Sequence, residues 1–556
     1  MDETRNRKTG ILMHISSLPG PYGSGDFGES AFRFAEIISE AGISEWQMLP
    51  LVPTSGAFSY SPYSSISAFA GNAMFIDPEG LERAGLIDRV DLEKFTALEP
   101  GAADFDRARA IRRDILKICY RNFRSSDAYK TTFRELSDKF WDFCVAEAYW
   151  LEDYALFCYL KEIEGGKPWN EWRVEFRRRD WDALDSMKSA PEVAEALDER
   201  RFEQFLFFSQ LQELRDVCAA LGVEMIGDLP IYVAYDSSDV WGHQDLFVLD
   251  DDGAPISVGG VPPDYFSPTG QRWGNPIYRW DRMREDGYAW WLGRFRHALK
   301  QADLVRIDHF RGFMGYWDIP AGEPTAENGH WEPGPGADLF RAMRGIFSDK
   351  ADRMPFIAED LGIMTDDVIK AMEDFSFPGM KVLHFAFGEG MPDNPYIPHK
   401  HRRNCVVYAG THDNDTTAGW WENSATKRER ENFKKYTGLK DPALRDVADA
   451  MIRMVLSSTA DMAVITAQDI LRLGSEARMN TPSTTKGNWM WRTGGLEALE
   501  RELEQVAEMN MLYGRWRRLT RPTGGRRGNS GAHPDPADPA EIAFSGENTA
   551  PENAKS

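Results

Sequence analysis

Cysteine is scarce in this chain: Cys119, Cys144, Cys158, Cys218 and Cys405 are the only five among 556 residues. Their number is odd, their spacing is scattered and no CxxC occurs, so neither a disulfide framework nor a zinc site is indicated. Long apolar runs are missing too. No stretch of about 18 apolar residues occurs, and the start, MDETRNRKTG, has no apolar h-region, which reads as a soluble cytoplasmic protein. Positive charge is in deficit: 65 basic against 88 acidic residues give a net charge of -23. That sign opposes nucleic acid and anionic membranes as partners and leaves neutral substrates open. Internal repeats are also lacking, which excludes a solenoid.

Apolar and aromatic residues are plentiful. A hydrophobic content of 42% with 12% aromatics over this length supports a large core, as one big domain with insertions or as two to three domains. The 18 tryptophans are suited to stacking on sugar rings, although core packing is the default role of each taken singly.

The segment from Ala302 to Gly312, ADLVRIDHFRG, crowds charge onto the end of a short apolar strand. Arg306 and Asp308 are two residues apart, so on a strand they face the same side. An arginine so placed keeps the carboxylate ionised, as a nucleophile requires. Alone, the pair reads first as a structural ion pair at a strand end, and only its context can favour the nucleophile.

Eight strand-like runs follow one another: Gly10 to Ser17, Glu45 to Leu49, Val223 to Leu229, Leu304 to Asp308, Pro355 to Asp360, Met380 to Phe387, Cys405 to Asp413 and Asp461 to Asp469. Helical patterns alternate with most of them, which predicts an α/β fold of the (β/α)8 TIM barrel type. Insertions are expected at about 52–75, rich in Ser and Tyr, at 90–221, with helical spacing, and at 236–290. The barrel domain is expected to span 1–518 and a disordered tail 519–556. Asp228, Asp308, Glu359, Asp413 and Asp469 each end an apolar strand, and a barrel gathers such ends at one mouth.

Two motifs invite other readings. Gly23, Gly25 and Gly28 spell GxGxxG, but LPGPY separates them from the strand, and a tight loop at the barrel mouth accounts for them without a nucleotide. Asp250 to Gly253 resembles a calcium loop, yet the later bidentate glutamate is absent and a hairpin turn is the expectation. His14, His309 and His412 lie near strand ends, but no HxH or HExxH spacing joins them as a metal hydrolase would need.

Two carboxylates in one cleft, one ionised and one protonated, are the equipment for breaking a glycosidic bond. Asp308 beside Arg306 is the anion. Glu359, following Phe356, Ile357 and Ala358, is the group whose pKa an apolar surround would raise, making it the general acid. A separation of about 5–5.5 Å would mean double displacement with a covalent glycosyl intermediate on Asp308. Asp413, between His412 and Asn414, is placed to hydrogen-bond sugar hydroxyls.

VRIDHFRG at Val305 to Gly312, IAEDLG at Ile357 to Gly362 and THDNDTT at Thr411 to Thr417 resemble the catalytic signatures of the amylomaltase (disproportionating enzyme) family of 4-α-glucanotransferases. SPYSSISAFAGN from Ser61, GDLPIYV from Gly227, GVPPDYFSPTGQRWGNPIY from Gly260 and LGSEARMNTP from Leu473 extend the likeness over about Gly10 to Trp516. The resemblance implies an α-amylase superfamily barrel without a C-terminal β-sandwich. It implies Asp308 as nucleophile, Glu359 as acid/base and Asp413 as transition-state stabiliser. Arg306, His309 and His412 would line the cleavage subsite, with Asp228, Trp273 and Asn480 nearby and Tyr63 on the acceptor side. The loop of Asp264, Tyr265 and Phe266 would close over bound glucan. The implied partners are malto-oligosaccharides, glucose and 1,4-α-glucans, with no cofactor and no metal. Two departures stand out: a proline in SPTG (Ser267 to Gly270), expected to stiffen the closing loop, and Ser483 where a glycine is usual, expected to reshape the donor-side edge.

Overall fold

Side-chain alternation along short parallel strands builds the centre of the molecule. The computed structural model describes residues 7–95, 101–125, 132–263, 267–362 and 364–516. The expected tail at 519–556 lies outside them, as do Asp264, Tyr265 and Phe266. Twelve strands occur among the described residues: β1 (Lys8–Leu12), β2 (Glu45–Gln47), β3 (Glu224–Leu229), β4 (Ser257–Val261), β5 (Gln271–Pro276), β6 (Leu304–Ile307), β7 (Gly315–Pro320), β8 (His330–Pro333), β9 (Phe356–Ala358), β10 (Gly379–Val382), β11 (Cys405–Tyr408) and β12 (Met462–Thr466).

Eight of them form one parallel sheet in the order β10-β11-β12-β1-β2-β3-β6-β9. β12 pairs with β1, so the sheet curls into a (β/α)8 barrel. The seam between β9 and β10 has no ladder; the Ala358 amide reaches Pro378 O at 2.9 Å, and the Met380 amide bonds to the Asp360 carboxylate at 2.5 Å. All eight expected strands are present, but most stop sooner than their apolar runs. After β10 the chain turns into a 3-10 segment, Leu383–Phe385, and after β12 into a short helix, Ala467–Ile470. The rim stays buried there, so hydrophobicity continues after strand geometry has ended.

Every second residue points into the lumen. Leu12, Ile226, Ile357, Met380, Val382, Val406, Tyr408, Met462 and Val464 fill it as a packed core. The alternate positions, such as Ile11, Trp46, Val305, Phe356 and Val407, pack outward in a second core with the surrounding helices. Continuing the inward series past its ends gives charged residues: Lys8, Glu45 and Glu224 at the strand starts, Asp228, Arg306, Asp308 and Glu359 at or just past the strand ends.

Between β2 and β3 the helical pattern gives helices Phe105–Arg124, Arg134–Ala146, Ala148–Ile163 and Pro191–Ala220. The last ends before Gly222, whose φ of 69° is the left-handed conformation that glycine takes freely. Trp169 and Trp172 are buried in this insertion. A small antiparallel sheet, β5-β4-β7-β8, stands at the rim. It extends beyond the 236–290 segment, because the hairpin of β7 and β8 supplies half of it. Asp250 makes a hairpin turn, its carboxylate accepting from the Asp252 and Ala254 amides at 2.9 Å each. The GxGxxG loop likewise binds no phosphate geometry: Gly28 caps helix Glu29–Glu40, and a Cβ there would meet the Asp77 carboxyl at 2.7 Å. A carboxylate thus sits where a pyrophosphate would. All five cysteines are unpaired, and among the described residues no helix is long and apolar enough to cross a membrane.

Candidate active site

The lumen's upper charged layer is tied together by one guanidinium. Arg306 sits opposite Asp228 in the β3–β6 register and donates through Nη1 to both Asp228 oxygens at 2.8 Å. Nη2 donates to Asp308 Oδ1 at 2.8 Å. Burial alone would lower the arginine, but Asp228 and Asp308 raise it well above its ordinary value, so it is a fixed cation. The Asp228 side chain is fully enclosed and also takes the Tyr63 hydroxyl at 2.8 Å. Asp308 remains 30% exposed, with Oδ1 on Arg306.

Glu359 follows β9 as Asp308 follows β6. Its amide bonds to Ile307 O at 3.0 Å, which fixes it beside the Asp308 turn. Its oxygens accept from the His309 amide at 2.8 Å and the Leu361 amide at 2.7 Å. Those bonds favour the ionised form, yet burial, followed by the negative charge of Asp308, pushes the carboxyl up to about 7. The His309 amide reaches Glu359 because His309 is left-handed, with φ 49°, a conformation that costs about 1–3 kcal/mol and is sustained only by its surroundings. Its ring is edge-on to Trp273 at 5.0 Å. Burial takes the imidazole down to about 4 against the pull of Asp308, so it is neutral at physiological pH.

Asp413 stands on the loop after β11 and is the most open of the three, 48% exposed. Asn480 donates to its Oδ1 at 2.6 Å, and His412 Nε2 lies 3.5 Å from the same oxygen. The His412 ring stacks on Tyr63 at 5.1 Å, and Trp489 packs against both rings. Asp308, Glu359, Asp413, Arg306, His309, His412, Asp228, Trp273, Asn480 and Tyr63 are therefore linked by contacts at one barrel mouth. Asp469 differs from the expectation for a mouth carboxylate: it is buried and accepts the Thr417 amide at 2.6 Å, bracing the Asp413 loop rather than facing the cleft. Among the described residues no three His, Cys, Asp or Glu side chains are gathered as a metal site requires.

Residues 13–497 match the family described as 4-alpha-glucanotransferase. The chain belongs to that family. It is 45% identical over 491 residues to the 4-alpha-glucanotransferase of Thermus thermophilus, covering 87% of this chain and 94% of the relative. It is 42% identical over 509 residues to that of Aquifex aeolicus, covering 92% and 99%. Among solved structures, an amylomaltase from Streptococcus agalactiae in complex with acarbose superposes with a TM-score of 0.84 at 36% identity, over 92% of this chain and all of that one.

Within this family framework, two residues of the site, Trp489 and Arg478, escaped sequence reasoning. Arg478 donates to Asp413 O at 2.7 Å through Nη2 and to Asn480 O at 2.6 Å through Nε, locking the two loops that present Asp413 and its partner. Its signal was its place two residues before Asn480 in LGSEARMNTP. The two departures also have structural accounts. Ser267 to Gly270 is a turn closed by the Gly270 amide on Ser267 O at 3.0 Å, and proline pre-sets the φ such a turn needs at its second residue. Ser483 adopts φ 64°, the backbone a glycine would take, so the loop keeps that path at the cost of strain.

Proposed function

We propose that this chain is a retaining 4-α-glucanotransferase moving 1,4-α-glucan segments from a donor malto-oligosaccharide or glucan to glucose or another glucan. One observation carries the reading: Asp308, held by Arg306 at 2.8 Å, and Glu359, whose carboxyl is raised to about 7, stand side by side at the ends of neighbouring strands. Asp308 Oδ2 attacks the anomeric carbon as the bond to the leaving glucan breaks, and Glu359 gives its proton to the departing 4-oxygen. The acceptor's hydroxyl then returns a proton to Glu359 while its oxygen displaces Asp308 and restores the carboxylate. Charge develops on the sugar ring between these steps, next to the Asp413 carboxylate and the neutral His309. Both bonds exchanged are glycosidic, so no cofactor is required.

Around the cleaved sugar, Arg306, Asp228, His309 and His412 orient the reacting groups, Trp273 offers an indole edge beside His309, and Asn480 aims Asp413. Tyr63 serves the acceptor side, and Asp264, Tyr265 and Phe266 close over the chain to keep water from the glycosyl intermediate. Five unpaired cysteines suit the reducing cytoplasm, where we place the protein in starch or glycogen metabolism.

Maltotriose alone tests the reading. Transfer yields a ladder of longer chains plus glucose, and Glu359→Gln abolishes it. Reducing ends that rise steadily with no ladder would identify a hydrolase, and tight glucan binding with no products a binding protein.

A further inference from the structure

The rim sheet carries two half-exposed indoles, Trp273 on β5 and Trp331 on β8. Trp273 belongs to the cleft, edge-on to His309. Trp331 has no part in the chemistry described above, yet it is 41% exposed and firmly held. β8 is an outer strand, paired only with β7, and Trp331 stands directly opposite Trp317 in that register. The two indoles meet at 5.2 Å with planes 68° apart, and Trp317 is pinned by its Nε1–H on Ala326 O at 2.9 Å. The Arg311 guanidinium lies 4.0 Å from the Trp331 ring centroid. A ring gripped by a second indole and a guanidinium has little rotamer freedom left to lose when a ligand stacks on it.

Arg311 ties this ring to the cleft. It lies two residues beyond His309 on the turn Phe310–Phe313, so one turn of backbone joins the cleavage point to the bracing cation. A neutral polymer leaving the cleft along this rim meets an aromatic surface, whereas an anionic partner is opposed by the protein's net charge of -23.

We propose that Trp331, braced by Arg311 and Trp317, is an outlying subsite for a 1,4-α-glucan chain, stacking the C–H face of a glucose unit beyond those that maltotriose fills. The inference rests on the glucan-transfer reading and adds a length preference to it.

The test compares wild type, Trp331→Ala, Trp331→Phe and Trp181→Ala, the last a control at an exposed indole of the helical insertion. Transfer is measured with maltotriose and with soluble amylose. Trp331→Ala is expected to leave kcat/KM for maltotriose unchanged and to raise KM for amylose about fivefold, with Trp331→Phe between. Amylose KM unchanged, an equal loss on both substrates, or the same loss in Trp181→Ala overturns the proposal. Retardation in a native gel containing amylose, read on Glu359→Gln with and without Trp331→Ala, reports binding without turnover. If wild type makes no ladder from maltotriose, the transfer reading fails, while equal retardation of those two proteins is what rejects the Trp331 subsite.

Discussion

At the floor of the lumen Lys8 lies between Glu45 and Glu224; at the mouth Arg306 lies between Asp228 and Asp308. Both layers continue the same inward series of strand positions, one at the strand starts and one at the ends, and both place one cation between two carboxylates. At the floor Glu45 is fully enclosed and takes Lys8 at 2.7 Å and the Ser44 hydroxyl at 2.5 Å. Nearby, buried Arg515 donates to the carbonyls of Leu456, Lys8, Ser458 and Ala460. At the mouth, Asp308 and Asp413 keep oxygens open to the cleft. An ion pair therefore marks no active site by itself, nor does an exposed carboxylate, since Glu224 at the floor is 44% exposed; the mouth differs in gathering two further carboxyls, Glu359 and Asp413, beside its pair.

Substitutions at the two ends should separate activity from stability. The largest effect is expected from Asp308→Asn, which removes the proposed attacking oxygen: transfer from maltotriose falls on the order of 10^4-fold while the thermal midpoint stays near that of wild type. Arg515→Ala should do the reverse. It removes the guanidinium's bonds to four carbonyls, of which Leu456 O and Ser458 O keep Arg7, and is expected to cost on the order of 3 kcal/mol in urea unfolding, with kcat of the folded fraction unchanged. If Arg515→Ala lowers kcat as Asp308→Asn does, the two layers are not independent.

At the mouth, pH should act on activity as well as on stability. In the proposed mechanism Glu359 enters the reaction protonated, so kcat/KM is expected to fall about tenfold per unit above a pH of about 7. The same shift has a signed effect on stability. The folded value lies above the ordinary 4.5, so the contribution of Glu359 is fully present below about 4.5 and is lost as pH rises through about 7. The melting temperature of Glu359→Gln relative to wild type should accordingly climb across that window. Arg478→Ala is expected to lower kcat about tenfold by letting Asp413 and Asn480 drift, with Arg478→Lys recovering part of it and the kcat/KM pH profile unchanged. The smallest effect is expected at Ser483→Gly, which relieves a left-handed serine and should stabilise by about 0.5 kcal/mol, less the entropy glycine adds to the unfolded chain.

Much of this was legible from the chain alone. Strand-end carboxylates announced the mouth because a strand that is apolar until its last residue has few other reasons to end in charge. The small rim sheet was less visible: β7 and β8 are brief, polar on one face and separated from β4 and β5 by β6, so no local pattern joins them. The bracing roles of Asp469 and Arg478 were hidden for a related reason. Each acts on backbone groups of another loop, Asp469 on an amide and Arg478 on carbonyls, and such groups leave no signature in composition or periodicity. The left-handed His309 was equally silent, since nothing in IDHFRG requires it until Glu359 is seen waiting for its amide.

The seam between β9 and β10 makes the barrel a hoop fastened by a clasp. Elsewhere its circumference is set by backbone ladders that any sequence supplies; here one backbone bond, Ala358 to Pro378, is joined by the Asp360 carboxylate, which holds the Met380 amide and Lys381. A Cβ at Gly379 would stand 2.6 Å from that carboxylate, so acid and glycine fit only as a pair. Glu359 is the residue immediately before the clasp. A substitution at 379 would therefore reach the spacing of Asp308 and Glu359 through the barrel's circumference, from a position outside the mouth.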